Sequence, residues 1–333
     1  MKEVYFANFW PQIITQRGLL LLEQKGFHVS GNWLNGSKIF NSSDILIYAY
    51  ADFGKNIITA ENIIKNKPER GFFSYILFPD SMIGWDYKKK AYLCRKNNRV
   101  QKILDTSNHI FSHSKFSLAL VESVYNPIIK PFSVISLGVD TVGIQRYKSN
   151  RRKDKLKVLW NHEWRSDKGV VDAFNIIIDL ANKYPYVDFI IGQEDNWGRG
   201  PDINDTKEIC LPLVSNLNTM HNVIFQNKMD NQEQYWEFLS TVDIGFSTSY
   251  HEGFGLSMME QEASGIACIT PSEQVYPELH QGCKIVGRNR LKEGIGTLIE
   301  NSYERDLVAK SCINNSLKYD TSIWVESLLN FLN

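Results

Sequence analysis

The 333-residue sequence has few cysteines, and they form no recognisable pattern. Cys94, Cys210, Cys268, Cys283 and Cys312 have neither the paired spacing of metal-binding motifs nor the density of a disulfide-stabilised secreted domain. We therefore expect a protein of the reducing cytoplasm.

Long apolar runs are also missing. No segment approaches the roughly 18 consecutive apolar residues that a membrane-spanning helix needs, and Met1-Lys2-Glu3 leads into a strand-like segment instead of a secretion signal. We expect a cytoplasmic chain without a transmembrane segment. An apolar fraction of 43% excludes a largely disordered chain, and the length of 333 residues favours two domains over one core.

Net charge is absent as well, but the charges are unevenly distributed. Residues 1–150 contain 19 Lys and Arg against 11 Asp and Glu, a balance of +8, and the rest of the chain carries −8. Basic residues concentrate at 88–102 and 146–157. Each basic run is either a solvated face or a surface that attracts a polyanion, which would be a nucleic acid or an anionic membrane.

Strand-like and helical segments alternate in both halves of the chain. In the first half, strands are predicted at Val4–Phe6, Ile45–Tyr50, Ser74–Phe78, Ile110–Ser112 and Phe132–Ser136, and helices at Ile13–Lys25, Tyr87–Leu104 and Lys115–Val124. In the second half, strands are predicted at Lys157–Trp160, Val187–Ile191, Asn222–Gln226, Ile244–Ser247 and Ala267–Thr270, and helices at Lys168–Lys183, Asn231–Leu239 and Leu256–Ser264. This alternation predicts an α/β protein with two Rossmann-like, doubly wound domains facing a cleft, where ligands bind beyond the carboxyl ends of the strands.

The segment from His251 to Gly265, HEGFGLSMMEQEASG, is the most informative part of the sequence. Glu252 and Glu260 flank the turn Gly253-Phe254-Gly255, which leads into the predicted helix. Glycines let a backbone approach a ligand closely, and the free N–H groups of a helix start bind anions. The segment is therefore suited to a phosphorylated sugar.

A purely structural interpretation of this segment is a capping box. Ser257 and Glu260 have the required spacing, and such boxes are common at helix starts. A capping box explains neither Glu252 nor the small residues Ala263 and Gly265. We therefore favour a functional role for the pair of glutamates.

The pattern Glu-Gly-Phe-Gly-Leu, then Glu, then Ala-Ser-Gly resembles the signature of retaining nucleotide-sugar glycosyltransferases of family 4. Gly138-Val139-Asp140-Thr141 resembles the family segment at the crossing between domains, and Lys168-Gly169 resembles its donor-phosphate loop. The resemblance implies a GT-B fold, with a Rossmann-like acceptor domain at 1–148 and a nucleotide-sugar domain at 149–318. Residues 319–333 would form a helix that crosses back to the first domain.

Roles for individual residues follow from the resemblance. Lys168 would neutralise the donor diphosphate, Glu252 would lie beside the transferred sugar, and Glu260 would hold the ribose hydroxyls. The sugar-diphosphate region would be lined by the turn and its flanks, which are His251, Gly253, Phe254, Gly255 and Leu256. The donor would be a UDP- or GDP-sugar, and attack from its front face would retain the anomeric configuration. The sequence has no Asp-x-Asp motif, so we expect no obligatory metal and no other cofactor.

The sequence departs from the family pattern at three places. The family Arg that precedes the Lys by five residues is Glu163 here, which makes Arg165 the candidate second cation. Asp80 lies where relatives often place a His near the reacting sugar. The usual Gly-Gly loop after the first strand is replaced by Phe9-Trp10-Pro11-Gln12, so the acceptor geometry is expected to differ.

Local sequence similarity gives an indication of the acceptor. Trp160-Asn161-His162 and Val275-Tyr276-Pro277-Glu278 are similar to segments of glycosyltransferases that mannosylate queuosine in tRNA. Together with the +8 balance of the first half, this favours a modified nucleic-acid base, in tRNA or phage DNA, as the acceptor. The alternative is surface-glycan or lipid-linked saccharide synthesis with peripheral contact to an anionic membrane. A sugar-nucleotide epimerase or a noncatalytic sugar-binding partner is the alternative of a different class.

Overall fold

The computed structural model describes residues 2–7, 16–31, 45–50, 72–76, 83–86, 91–94, 101, 104–125, 130–147, 155–192 and 203–332. The chain divides into two compact units, Met1–Asp140 with Tyr319–Asn333, and Thr141–Lys318. A six-stranded sheet organises each unit. The prediction of an α/β fold with parallel sheets is confirmed.

The strands are β1 (Lys2–Ala7), β2 (Phe27–Gly31), β3 (Ile45–Tyr50), β4 (Phe72–Ile76), β5 (Ile83–Asp86), β6 (Ala91–Cys94), β7 (His109–Ser112), β8 (Phe132–Val134), β9 (Lys157–Trp160), β10 (Asp188–Gly192), β11 (Val223–Gln226), β12 (Ile244–Phe246), β13 (Ala267–Pro271) and β14 (Lys284–Val286). The α-helices are α1 (Gln16–Gln24), α2 (Lys115–Tyr125), α3 (Thr141–Ile144), α4 (Val170–Lys183), α5 (Ile203–Leu217), α6 (Gln232–Leu239), α7 (Leu256–Ala263), α8 (Tyr276–Leu279), α9 (Leu291–Glu300), α10 (Ser302–Ser316) and α11 (Thr321–Leu332). Short 3₁₀ helices cover Ser166–Lys168, Arg288–Arg290 and Leu317–Tyr319.

The sheet of the first unit has the order β2-β1-β3-β4-β7-β8, with parallel pairing throughout. The last helix, α11, belongs to this unit. Arg17 of α1 ties the start of α11 to the segment after β8, because its Nη1 atom lies 3.2 Å from Asp140 Oδ1 and 2.7 Å from Asp320 Oδ2. The backbone supports the same connection, since Val139 and Asp320 form a parallel bridge.

Strands β5 and β6 form a separate antiparallel pair. The helix predicted over Tyr87–Leu104 is therefore wrong at Ala91–Cys94, which is strand β6. The lysine-rich flank favours a helix locally, but backbone pairing with Ile83–Asp86 prevails, as strand formation depends on cross-strand partners more than on local propensity.

The sheet of the second unit has the order β11-β10-β9-β12-β13-β14, again with parallel pairing throughout. Every residue of β10 and β13 is buried, which is typical of parallel strands covered on both faces. Helix α4 packs on this sheet through Val170, Ala173, Phe174 and Ile177, whose spacing places them on one helical face. The strand order is that of a dinucleotide-binding Rossmann sheet. From β9 to β11 successive strands are added on one side, and from β12 to β14 on the other, so the order reverses between β9 and β12.

Among the described ranges, no helix combines the length and the apolar character that crossing a membrane requires.

Candidate active site

The loops after β9 and β12 lie side by side at the point where the strand order of the second sheet reverses. The last residues of these strands, Trp160 and Phe246, are register partners. The Trp160 indole N–H donates a hydrogen bond to Thr248 Oγ1, 3.0 Å away, and this bond joins the two loops. Ligands of open α/β sheets bind beyond the carboxyl ends of the strands at such a reversal. The second unit therefore has its candidate site here.

Gly169 allows these loops to approach each other closely. Its φ of 67° lies in the left-handed region, and a Cβ atom at this position would stand 2.2 Å from the Thr248 carbonyl oxygen. The Thr248 hydroxyl in turn lies 3.0 Å from the carbonyl oxygen of Lys168, to which it donates. Only glycine fits at position 169 without a shift of backbone atoms. The glycine therefore sets the backbone position of the preceding residue, Lys168.

Lys168 and Glu252 meet across the two loops. The Lys168 ammonium donates to Glu252 Oε2 at 3.1 Å and to the His251 carbonyl oxygen at 2.7 Å. The two side chains are only 14% and 10% exposed. The other carboxylate oxygen of Glu252 accepts from the Gly255 backbone N–H at 3.2 Å. The structure thus brings together four of the residues that the sequence analysis selected.

Gly253, Phe254 and Gly255 of the turn are buried, and Leu256, the first residue of α7, is partly exposed. Gly255 is the N-cap of this helix, with a φ of 76°, and the cap has no side-chain hydrogen bond. The Phe254 carbonyl oxygen lies 2.8 Å from His280 Nε2, so the imidazole holds the turn from behind. A Cβ atom at Gly255 would lie 2.6 Å from the same nitrogen, which explains why glycine is needed there.

The capping-box interpretation of Ser257 is wrong. Ser257 lies inside α7 instead of at the N-cap. Its hydroxyl accepts from Asn161 Nδ2 at 3.1 Å and lies 3.2 Å from the Asn161 carbonyl oxygen. The serine therefore connects α7 to the loop after β9.

Arg165 lies just before the short 3₁₀ helix that carries Lys168. Its guanidinium makes a two-pronged contact with Asp167, with both N···O distances 2.8 Å, and its third nitrogen lies 3.3 Å from Glu163 Oε2. The Asp167 carbonyl oxygen accepts from the backbone N–H of Tyr250 at 2.7 Å and of His251 at 3.1 Å. Arg165 thus contacts the residue whose carbonyl oxygen holds the segment before Glu252, and the charge of Arg165 is opposed by two carboxylates.

Glu260 occupies α7 and is partly exposed. Desolvation raises the pKa of this carboxyl to about 7, against hydrogen bonds from Trp236 and Gln232 that lower it. The Trp236 indole N–H donates to Glu260 Oε1 at 3.3 Å. Because α6 carries the indole, this contact fixes the orientation of the carboxylate from a neighbouring helix.

His162 was not selected from the sequence, although its segment was noted for family similarity. The side chain is 6% exposed, and its Nε2 atom has no hydrogen-bond partner among the residues that the structure describes. Burial lowers the pKa of His162 to about 4, while the charge of Glu252 raises it and that of Lys168 lowers it. A neutral imidazole therefore stands next to the lysine and glutamate pair. Its position two residues after the end of β9 was the available signal.

Asp80, the remaining selected residue, lies outside the described residues.

Comparison with known proteins identifies the family. The family model for glycosyl transferases group 1 matches residues 143–311, about half of the chain. The chain belongs to this family. Membership of this family indicates sugar transfer as the class of reaction.

A curated relative gives a weaker and more local similarity. The chain is 29% identical over 128 residues to the tRNA-queuosine alpha-mannosyltransferase of Drosophila melanogaster. That alignment covers 38% of this chain and only 30% of the relative, so the chain matches less than a third of the length of that protein.

Solved structures are similar over the whole chain. A sucrose-phosphate synthase from Thermosynechococcus elongatus superposes with a TM-score of 0.73 at 10% identity, covering 100% of this chain and 98% of that one. A trehalose-6-phosphate synthase studied for glycosyl transfer with retention gives a TM-score of 0.72 at 10% identity, covering 100% and 99%. At such low identity these similarities show the fold alone, and they confirm the predicted GT-B type.

Proposed function

We propose that this glycosyltransferase moves a sugar, with retention of configuration, from a UDP- or GDP-sugar to a hydroxyl group of a modified nucleic-acid base in tRNA or phage DNA. The observation that carries the donor half of the proposal is the contact between Lys168 and Glu252 at the strand reversal. The acceptor half rests on the charge of the first 150 residues and on local similarity to a tRNA-modifying enzyme.

Lys168 is the group that would oppose the charge of the leaving diphosphate. When the bond between the sugar and the nucleotide breaks, negative charge grows on the phosphate oxygen. A fixed cation at that position lowers the barrier, and the effect is large where water is excluded. The Lys168 side chain is 14% exposed, and its ammonium is held by Glu252 and the His251 carbonyl, so its position is already fixed before a donor binds.

Glu252 and His162 would contact the transferred sugar. The carboxylate of Glu252 accepts hydrogen bonds, and sugar hydroxyls are donors that can share it with Lys168. The neutral His162 imidazole has a buried Nε2 atom that can exchange a hydrogen bond with a sugar hydroxyl or a phosphate oxygen. Gly253, Phe254, Gly255 and Leu256 would supply the backbone that faces the sugar and diphosphate, with His251 beside them.

Glu260 would hold the ribose of the nucleotide. An ionised carboxylate can accept hydrogen bonds from both hydroxyls of a vicinal diol. Two new donors favour the ionised form, so nucleotide binding would lower the raised pKa of this group.

We assign the stabilisation of the diphosphate to Lys168 and the backbone N–H groups, and so propose a donor reaction without an obligatory metal. Arg165 is proposed to act by orienting the loop that carries Glu252, since its guanidinium is already bound by Asp167 and Glu163. A role for Asp80 near the reacting sugar stays a prediction.

A donor and acceptor panel tests the proposal. The protein is incubated with UDP- and GDP-sugars, each alone and with tRNA, modified phage DNA, or lipid-linked saccharide on anionic vesicles. Released nucleotide and labelled acceptor are measured. Transfer to nucleic acid supports the proposal, and transfer only to the lipid-linked acceptor replaces it with surface-glycan synthesis. Epimerised donor without transfer, or donor binding without turnover, contradicts the proposal.

A further inference from the structure

We propose that the second unit contains a buried zinc site formed by the thiolates of Cys268, Cys283 and Cys312. Their sulfur atoms all lie within 4.8 Å of one another, although the residues are far apart in the sequence. None is paired in a disulfide. This site is separate from the proposed donor chemistry and has no counterpart in the spacing of the cysteines along the chain.

The distances suit a thiolate-bound zinc ion. Zn–S bonds of about 2.3 Å in a tetrahedron separate sulfur atoms by about 3.8 Å. Three sulfurs within 4.8 Å of one another need only small rotations to reach that separation. Soft thiolate ligands select zinc or copper(I) over magnesium, calcium and manganese.

The fold brings the three cysteines together from three separate elements. Cys268 lies on β13, Cys312 lies on α10, and Cys283 immediately precedes β14. Gly282 makes the approach possible, because a Cβ atom there would lie 2.8 Å from the Cys312 Cα and 2.6 Å from the Ser311 carbonyl oxygen. Cys312 Sγ lies 3.4 Å from the Gly282 carbonyl oxygen. A side chain at position 282 would push Cys283 away from the cluster.

A fourth ligand is available beside Cys283. The Cys283 sulfur, a Glu262 carboxylate oxygen and a His280 ring nitrogen also lie within 4.8 Å of one another. Glu262 Oε1 lies 2.5 Å from His280 Nδ1, and Asn315 Nδ2 donates to the other carboxylate oxygen at 2.8 Å. We assign the fourth coordination position of the zinc ion to one ligand atom from this pair, the His280 ring nitrogen or the Glu262 carboxylate oxygen. Three cysteines with one histidine is a common structural zinc set, and a bound carboxylate is also an established ligand.

The proposed site lies behind the turn that carries the candidate donor residues. His280 contacts the Phe254 carbonyl oxygen through Nε2 at 2.8 Å. Metal-bound histidines commonly donate their second ring N–H to a backbone carbonyl in this way. A zinc ion would connect β13, α10 and the segment before β14, and so stiffen the support of the turn. Binding releases one proton from each thiol, and the affinity should fall as the pH falls.

Metal content of the full-length protein tests the site. The chain is unfolded in reductant with chelator, refolded with zinc, passed over a desalting column, and analysed for zinc. We expect about one zinc per chain in the wild type and at least a tenfold loss in Cys283→Ala and Cys312→Ala. Cys210→Ala is the matched control, because Cys210 is a buried free cysteine on α5, and this variant should keep its zinc. Cobalt refolding should give thiolate-to-cobalt absorption in the wild type and the control only.

Two further measurements keep the proposal open to refutation if a variant fails to fold. Chelator should lower the unfolding temperature of the wild type and of Cys210→Ala. Thiol titration of denatured wild type without reductant should find all five cysteines free. The proposal is overturned by wild type that refolds without retaining zinc and gives no cobalt–thiolate absorption. It is equally overturned by a missing pair of thiols that peptide mapping assigns to two of the three clustered cysteines, because those two would then form a disulfide.

Discussion

Lys168 Nζ lies 3.1 Å from Glu252 Oε2 and closes a contact between residues that are 84 positions apart in the sequence. The contact joins the loops after β9 and β12, where a Rossmann sheet receives its ligand. An ammonium shielded from water in this position attracts a phosphate group more strongly than a solvated lysine would. The two residues therefore act as one unit, and a change to either alters the other.

Replacing Lys168 with methionine should remove most of the transferase activity. Methionine keeps a similar length without the charge, so the departing diphosphate loses its cation, and we expect kcat to fall about 10²- to 10³-fold. Steady-state kinetics with the donor identified by the panel measure this. Lys183→Met is the matched control, because Lys183 is 63% exposed and pairs with Glu300 on the surface.

Loss of activity through unfolding must be separated from loss of charge. Lys168→Met leaves the Glu252 carboxylate buried without its cation, which itself destabilises a protein. The double variant Lys168→Met/Glu252→Gln removes both charges and should unfold at a higher denaturant concentration than the single variant while staying inactive. An active double variant would contradict the role given to the lysine.

Much of the second sheet could be predicted from the sequence because its central strands β9, β10, β12 and β13 are short, apolar and almost entirely buried. The predicted strand at Lys157–Trp160 is observed at those bounds, and the helix predicted at Leu256–Ser264 is observed at Leu256–Ala263. Such segments carry their own signal, since burial on both faces requires continuous apolar runs. Helix α5 was missed, because Pro212 inside it argues against a helix when the sequence is considered alone.

The side-chain partners of the site could not be predicted in the same way. The contact of Trp236 with Glu260 links two helices, and the three clustered cysteines come from elements that pair only after folding. Local patterns identified Glu252, Glu260 and Lys168 because each lies in a motif. His162 lacked such a motif of its own. What distinguishes it from an ordinary packed histidine is that its buried side chain lies next to the charged pair of Lys168 and Glu252.

Gly169→Ala should cost far more than the same change at Gly26. Both glycines have a positive φ, of 67° and 87°, which costs an alanine about 1–2 kcal/mol. At Gly26 nothing lies within 4 Å of the added Cβ, whereas at Gly169 the Thr248 carbonyl oxygen lies at 2.2 Å. We expect Gly169→Ala to lower the free energy of unfolding by more than 2 kcal/mol and to lower kcat by displacing Lys168. Equal denaturation midpoints for the two variants would refute the steric argument.

Arg288→Lys should weaken donor turnover although it preserves the charge. The Arg288 guanidinium donates to the carbonyl oxygens of Thr248 at 2.6 Å and Ser249 at 2.8 Å, and it lies 3.8 Å from the centre of the Tyr250 ring. Lysine cannot form the two-pronged contact or stack in the same way. We expect kcat/KM for the donor to fall at least about tenfold, which corresponds to about 1.4 kcal/mol.

The matched control for this change is Arg290→Lys. Arg290 is 67% exposed and pairs with Glu293 three residues later, so its replacement should leave kcat/KM unchanged. If both variants retain full activity, Arg288 does not position the loop that leads to Glu252.

Glu260 should give both stability and nucleotide binding a pH dependence between pH 4.5 and 8. Burial raises its pKa from 4.5 to about 7, so folding favours the protonated form. The unfolded chain releases this proton near pH 4.5, and the contribution of Glu260 to the free energy of unfolding therefore falls as the pH rises from about 4.5 to 7. Glu260→Gln removes this fall, and its stability relative to the wild type should increase over that interval and stay constant above it.

The affinity of the protein for the nucleotide should rise as the pH rises, because only the ionised Glu260 carboxylate accepts both ribose hydrogen bonds. Calorimetric titration of UDP and GDP at pH 6, 7 and 8 should show tighter binding to the wild type as the pH rises and weaker, flatter binding to Glu260→Gln. Glu237→Gln on the exposed side of α6 is the matched control. If Glu260→Gln binds nucleotide as the wild type does at every pH, Glu260 does not hold the ribose.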